Sequence, residues 1–415
     1  MVKIDNFGVR STGWKHKDRL HLRLATEVHW SGRERNRAES WRLHAVLSVL
    51  PIIPNIRILS LRNADINGAQ QAIIFGLSTL RRLVVQSCQF SLSRRALPSS
   101  HVAALKLANN DFQTTYRLLL ISSPTLESLE VGYFDGTVGS ILRGGLIALP
   151  KLSTFTMENH GRGTTPAILD TLKQYTSITT LHVIVHRDPP YPIPADLSSL
   201  LPALRSLTCN PHLAVKLILK RPVKTYVEIA FSDEVGFWRL VYKLSKARTG
   251  ITDLKLFVPD FFRTILPSLA ITFQRLEQLT LKVYSRSSYP YIPSPLHNSH
   301  GAATVVFPKL KGVAIWVDDH VYTYFTPEWL LKECFVPACP ALEAFEWLHV
   351  TLFSPIFNFD WLPEPRQEWK AWKLPDGSWE RQGPPPIPVR HPCEDIACRT
   401  VDLFMTGWQA FIKCS

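Results

Sequence analysis

The chain has 415 residues, with 47 Lys and Arg against 34 Asp and Glu, and carries a formal charge of +13 at neutral pH. Apolar residues make up 46% and charged residues 20%, which excludes a disordered chain lacking the apolar surface to offset ordering entropy. Nineteen glycines and seven cysteines exclude collagen-like and disulfide-scaffold chains.

Nothing in the sequence predicts a membrane span, because no run of about 18 apolar residues occurs. The opening Met1-Val2-Lys3-Ile4-Asp5 lacks the apolar core of a signal peptide. Cysteines are odd in number and scattered from Cys88 to Cys414, which is not a disulfide framework. A reducing cytoplasmic or nuclear location, with no membrane partner, is the expectation.

Residues 1–42 form a basic N-terminal segment, with clusters at 15–19 and 33–37. Acids interrupt both clusters, so a solvated cap is expected, with a nucleic-acid or nuclear-import patch as the alternative. From there one phrase recurs: apolar, two others, apolar, one other, apolar. It reads Ile56-x-x-Leu59-x-Leu61 and Leu80-x-x-Leu83-x-Val85, and it starts again at Val102, Leu126, Leu152, Ile178 and Leu204. It returns at Ile251, Leu276, Leu310 and Leu342, after a gap in which a degenerate copy is expected around Val223–Phe231. Steps of 24, 22, 24, 26, 26 and 26 residues precede the gap, and steps of 25, 34 and 32 follow it.

The alternation puts two apolar side chains of each copy on one face of a short strand, with the first apolar residue at the preceding corner. Helix-compatible stretches separate the copies at 70–77, 116–121, 166–175, 212–220 and 234–246, the third opened by Thr165-Pro166. One strand–helix unit cannot bury its own apolar face, so neighbours must stack. The predicted fold is therefore α/β, a leucine-rich-repeat solenoid over residues 43–350. It has a curved parallel sheet inside, helices outside and about 11–12 irregular repeats. Pro-rich or Ser/Pro/Tyr-rich inserts break it at 187–194 and 285–307. Residues 351–415, with Trp361, Trp369, Trp372, Trp379 and the run Pro384–Pro388, form a Trp/Pro-rich C-terminal capping region that includes a helix at Thr400–Ile412.

Signs of chemistry are sparse. No phosphate-loop, nucleophile-elbow or zincin motif is present. Gly161-Arg162-Gly163 is a repeat turn. Cys334/Cys339 and Cys393/Cys398 have the loose end of zinc-ligand spacing, and neither His182/His186 nor His297/His300 has a neighbouring carboxylate pair. The expectation is a protein that is not an enzyme and uses no metal or cofactor.

A binding surface is the remaining option. On a concave strand face the solvent-directed positions carry Arg62, Gln86, Lys106, Glu130, Glu158, His182, Lys255, Lys282, Trp316 and Glu346, joined by Phe257. These do not make a uniform basic stripe, so nucleic acid is not the expected partner. Phe257 and Trp316 are candidate anchors for a protein. Lys216, Lys220, Arg221, Lys224, Arg239, Lys243, Lys246 and Arg248, opposed by Glu228, Asp233 and Glu234, are assigned to an outer helical surface.

The phrase Leu-Pro-x-Leu-x-x-Leu-x-Leu, as at Leu201–Cys209, the irregular steps and the Trp-rich tail resemble F-box/leucine-rich-repeat proteins of the fungal F-box-like type. The resemblance covers about residues 43–350. It implies substrate recognition for a Skp1–cullin-type ubiquitin ligase. The N-terminal residues lack the family's Leu-Pro-x-Glu opening, and only Trp41-Arg42 faintly resembles its ending. A Skp1-type adaptor would therefore bind only through an F-box outside this chain. A stand-alone leucine-rich-repeat scaffold and a basic nucleic-acid-associated protein are the alternatives.

Overall fold

A computed structural model describes residues 26–32, 37–53, 55–91, 100–132, 141, 147–159, 172–185, 200–218, 221–228, 234–247, 250–258, 262–283, 306–318, 326–350 and 367–382. The chain divides into two units, Met1–Thr225 with Lys246–Thr249, and Tyr226–Ser245 with Gly250–Ser415.

Every copy of the apolar phrase in the first unit becomes a strand. The order is β1 (Glu27–Ser31), β2 (Ile58–Arg62), β4 (Arg82–Gln86), β6 (Ala104–Ala108), β7 (Ser128–Gly132), β8 (Thr154–Asn159), β9 (Thr180–Val185) and β10 (Ser206–Cys209). Neighbours run parallel, and the second phrase residues align across them as Leu59, Leu83, Leu105, Leu129, Phe155, Leu181 and Leu207. One backbone carbonyl before each strand accepts from two successive amides of the next turn. Arg57 takes the amides of Arg81 and Arg82, and Arg81 takes those of Ala103 and Ala104. The pattern continues through Ala103, Glu127, Ser153, Thr179 and Arg205. A second, two-stranded parallel sheet, β3 (Asp65–Ile66) with β5 (Gln89–Phe90), follows the first strands.

Helices fill the connections. They are α1 (Arg37–Val49), α2 (Gly68–Gly76), α3 (Phe112–Ser122) and α4 (Pro211–Leu217). Asn67 and Gln70 form a reciprocal cap at the start of α2, and Asp111 accepts from the Thr114 amide at the start of α3. Such caps satisfy amides that have no partner inside the helix. Between strand and helix the chain turns through left-handed residues Asn63, Ser87 and Asn109. Below them the Asn110 side chain donates to the Val85 carbonyl at 2.8 Å and accepts from the Cys88 amide at 2.9 Å.

The second unit repeats the plan with β11 (Thr225–Glu228, Thr225 itself falling in the first unit), β12 (Asp253–Val258), β13 (Gln278–Val283), β14 (Gly312–Asp318) and β15 (Ala344–Val350). Helices α5 (Glu234–Leu244) and α6 (Phe262–Thr272) lie between strands. Before β15 comes Pro327–Trp329, then a π-helical stretch Leu330–Phe335, then Val336–Ala338. The sheet then changes direction: β16 (Gln367–Lys373) and β17 (Trp379–Gln382) add antiparallel. Each sheet is an open line of strands with helices, mostly parallel.

The core of each unit is the phrase itself. Across all eleven copies none of the three apolar residues is more than 3% exposed. Phe345 lies between Phe335 (centroids 5.6 Å apart) and Trp369 (5.8 Å, edge to face), so the antiparallel hairpin packs on the same core as β15.

Several expectations change. Sheet extends past both ends of the 43–350 stretch, since β1 pairs with β2 and the hairpin at 367–382 pairs with β15. The degenerate copy is real, as β11. Arg221 and Glu228, assigned to an outer surface, are buried. The Arg221 guanidinium donates to the carbonyls of Leu200 (2.6 Å) and Leu217, the latter at the end of α4, and so meets backbone oxygens that α4 itself leaves open. The 187–194 insert, residues 285–305, Thr165-Pro166, Gly161–Gly163, His186, His297, His300, Cys393, Cys398, Trp361, Pro384–Pro388 and the helix at 400–412 lie outside the described residues.

Candidate functional site

Alternation along the strands leaves one face of each sheet for the phrase's apolar residues and the other for everything between them. Register then decides which of those residues meet. In the first unit Ser60, Val84, Lys106, Glu130, Thr156, His182 and Thr208 stand in one lateral row. Arg62 and Gln86 pair in the next row, and Glu158 lies opposite Ile184 further along it.

Charges within the first row satisfy each other. Glu130 accepts from Lys106 at 2.7 Å and lies 3.6 Å from the Arg82 guanidinium. His182 is two strands away. Burial pushes its pKa below the ordinary value, against the opposing pull of the Glu130 carboxylate, and its Nε2 is buried without a hydrogen-bond partner. This is a self-neutralised polar surface holding a neutral imidazole.

The second unit's face is different. One row runs Lys255, Thr280, Ala314, Glu346, Lys370, and the next runs Phe257, Lys282, Trp316, Leu348. The Lys282 ammonium lies between two aromatic rings, 4.8 Å from the Phe257 centroid and 5.1 Å from that of Trp316. The negative ring faces attract it, which is a double cation–π contact. Desolvation between the rings, joined by the nearby Lys255 charge, brings the Lys282 pKa down to about 8, while Glu228 opposes the change. The Glu228 carboxylate is fully buried and accepts from the Phe257 amide at 2.9 Å. At the far end of the first row, Lys370 pairs with Glu346 at 3.3 Å.

Expected site residues therefore divide into two sets, one on each unit. Arg62, Gln86, Lys106, Glu130, Glu158 and His182 belong to the first; Lys255, Phe257, Lys282, Trp316 and Glu346 belong to the second. Phe257 and Trp316 are half-buried rather than fully exposed, because Lys282 fills the space between them. Sequence reasoning passed over Thr280 and Ala314, which sit at the same place in the phrase as Lys106 and His182. Their position was the available signal; their small, uncharged side chains hid it. Arg82 and Lys370 were also missed, since each acts through a neighbour distant in sequence.

Among the described residues no group of three or more His, Cys, Asp or Glu is placed to hold a metal, and no helix is long and apolar enough to cross a membrane. Cys334 and Cys339 are both buried, and burial pushes the Cys339 thiol up to about 12, which keeps it protonated and unreactive. No protein-family model matches the sequence, and no curated protein matches it.

Proposed function

We propose that the chain is a leucine-rich-repeat solenoid acting as a non-catalytic protein-binding module, with the solvent-side face of its strands as the contact surface. One observation carries the reading: the row Phe257, Lys282, Trp316, in which a half-desolvated cation is held between two half-exposed rings. Aromatic side chains are among those that dominate protein interfaces, because they bury large area at low entropic cost. The solenoid assignment draws support from the sequential parallel strands and the 22–34-residue steps. It is also supported by Cys88 and Asn110, which stand three residues after the phrase in two successive copies, where leucine-rich repeats carry Cys or Asn.

Substrate recognition in a Skp1–cullin-type ligase is the setting that the F-box-like resemblance implies, and it rests on that resemblance alone. Affinity purification of the tagged chain beside a Phe257→Ala/Trp316→Ala variant tests both statements. Partners recovered by the parent chain and lost with the variant support the binding face; an unchanged set refutes it. Absence of both a Skp1-type adaptor and a cullin from the recovered set refutes the ligase setting.

A further inference from the structure

The first row of the second unit has an unusual profile. Thr280 and Ala314 are small and lie side by side in register, while Lys255 stands on one flank and Glu346 on the other. Two residues further along the same face the chain carries Phe257, Lys282 and Trp316. Thr280 is 8% exposed, and its and Ala314's small side chains lie lower than those beside them. Lys255 lies directly across from Thr280, and Lys282 is two positions beyond it on the same strand, so the two lysines flank Thr280.

Two like charges stand here, and the carboxylates that act on them, Asp253 on Lys255 and Glu228 on Lys282, do so without a salt-bridge contact. No carboxylate lies within 4.0 Å of either ammonium among the described residues. Burial first, and the nearby Lys255 charge second, lower the Lys282 pKa. The first unit shows the contrast: there Lys106 and Arg82 share Glu130. An acceptor over the Thr280 hydroxyl would complete in the second unit what Glu130 completes in the first. Charge-assisted hydrogen bonds of this kind are the strong ones, and they strengthen where rings exclude water.

Resting on the protein-binding reading above, we propose that Thr280 and the two lysines seat a carboxylate of an acidic protein segment. The carboxylate accepts from Lys255, Lys282 and the Thr280 hydroxyl, while an apolar side chain of the same segment packs on Phe257 and Trp316. A peptide fits better than a nucleic acid. Asp253 on the same strand face, Glu346 across from Ala314 and the buried Glu228 would repel a run of phosphates, yet they leave room for one isolated carboxylate. The aromatic rings add an apolar contact that a free anion cannot use.

The test is titration of the full chain with a fluorescein-labelled peptide carrying one glutamate beside a leucine in a glycine–serine background, the same peptide with glutamine for glutamate, and single-stranded oligothymidylate. Saturable binding of the glutamate peptide is expected, weakened about tenfold by Lys255→Gln or Lys282→Gln and unchanged by Lys332→Gln, an exposed lysine off the strand face. The glutamine peptide should bind about tenfold more weakly. Thermal unfolding of each variant verifies the fold, because Lys282→Gln also shortens the side chain that fills the space between Phe257 and Trp316. Absence of saturable binding overturns the proposal, as does equal binding by the lysine variants. Oligothymidylate binding as tightly, with the same lysine dependence, would overturn the peptide class. Capture of partners lost with Phe257→Ala/Trp316→Ala but kept with both lysine variants would leave the binding face standing and remove the carboxylate seat.

Discussion

Replacing Asn110 by Ala isolates one structural device of the first unit. Its side chain closes a bridge between the Val85 carbonyl and the Cys88 amide, at 2.8 and 2.9 Å, and both residues are wholly shielded from solvent. Truncation leaves that amide and carbonyl without this partner and without water. At about 1–3 kcal/mol for each stranded buried group, the two groups together cost about 2–6 kcal/mol. Translated into local opening, this is about a 30- to 20,000-fold rise in exchange of the Cys88 amide hydrogen. Hydrogen exchange read at that amide, with the urea midpoint of the first unit's transition, measures both. Cys88→Ala is the control. It keeps the backbone amide that Asn110 holds and loses thiol contacts to the Leu61 and Gln86 carbonyls at 3.4 and 3.3 Å, so it should cost about 1 kcal/mol. An unchanged amide in Asn110→Ala, or a larger cost in the control, would refute the bridge as the source of stability.

Other expectations follow from the same reading. Phe345→Ala empties a fully buried site between Phe335 and Trp369 and should cost about 3–5 kcal/mol in chemical unfolding, with loss of near-ultraviolet dichroism from Trp369; a cost below about 1 kcal/mol would contradict the packing. His182 has its pKa lowered by burial from the ordinary 6.5, so the unfolded chain binds more protons below that pH. Stability should thus fall on acidification below pH 6.5, and His182→Gln should flatten this fall in urea midpoints. Lys282 titrates near 8 against an ordinary 10.5, so the unfolded chain binds more protons between those values and stability should rise with pH across that window. Competitive acetylation should place its midpoint near 8, and Glu228→Gln should lower it further, because the opposing carboxylate is gone.

Sequence periodicity located the strands well, since an alternating side-chain pattern needs no knowledge of the partner strand. All eleven copies of the phrase are strands, and α2, α3, α4 and α5 overlap the stretches expected to be helical. Elements that lack the phrase were missed: β1, the short β3 and β5, and the antiparallel β16 and β17. Gln367–Lys373 alternates Trp369, Ala371 and Lys373 with Glu368, Lys370 and Trp372, a pattern that does not match the apolar phrase. Direction is a further blind spot: nothing in a strand's own residues says that it adds antiparallel, because that depends on the length and path of the preceding connection.

What the sequence determined by itself is the repeating apolar phrase, hence a line of short strands with one face committed to the core, because burial of that phrase is the dominant favourable term and its period is written residue by residue. Tertiary structure alone decided which polar residues become neighbours. Phe257, Lys282 and Trp316 are separated by 25 and 34 residues along the chain, and only strand register brings a lysine between two rings. It likewise decided that Arg221 and Glu228 are interior groups, since whether a charge is buried depends on the carbonyls and amides that the fold leaves open around it. The positive charge of the chain is therefore not one property: some of it is surface, some meets backbone oxygens, and one ammonium group is held between two rings.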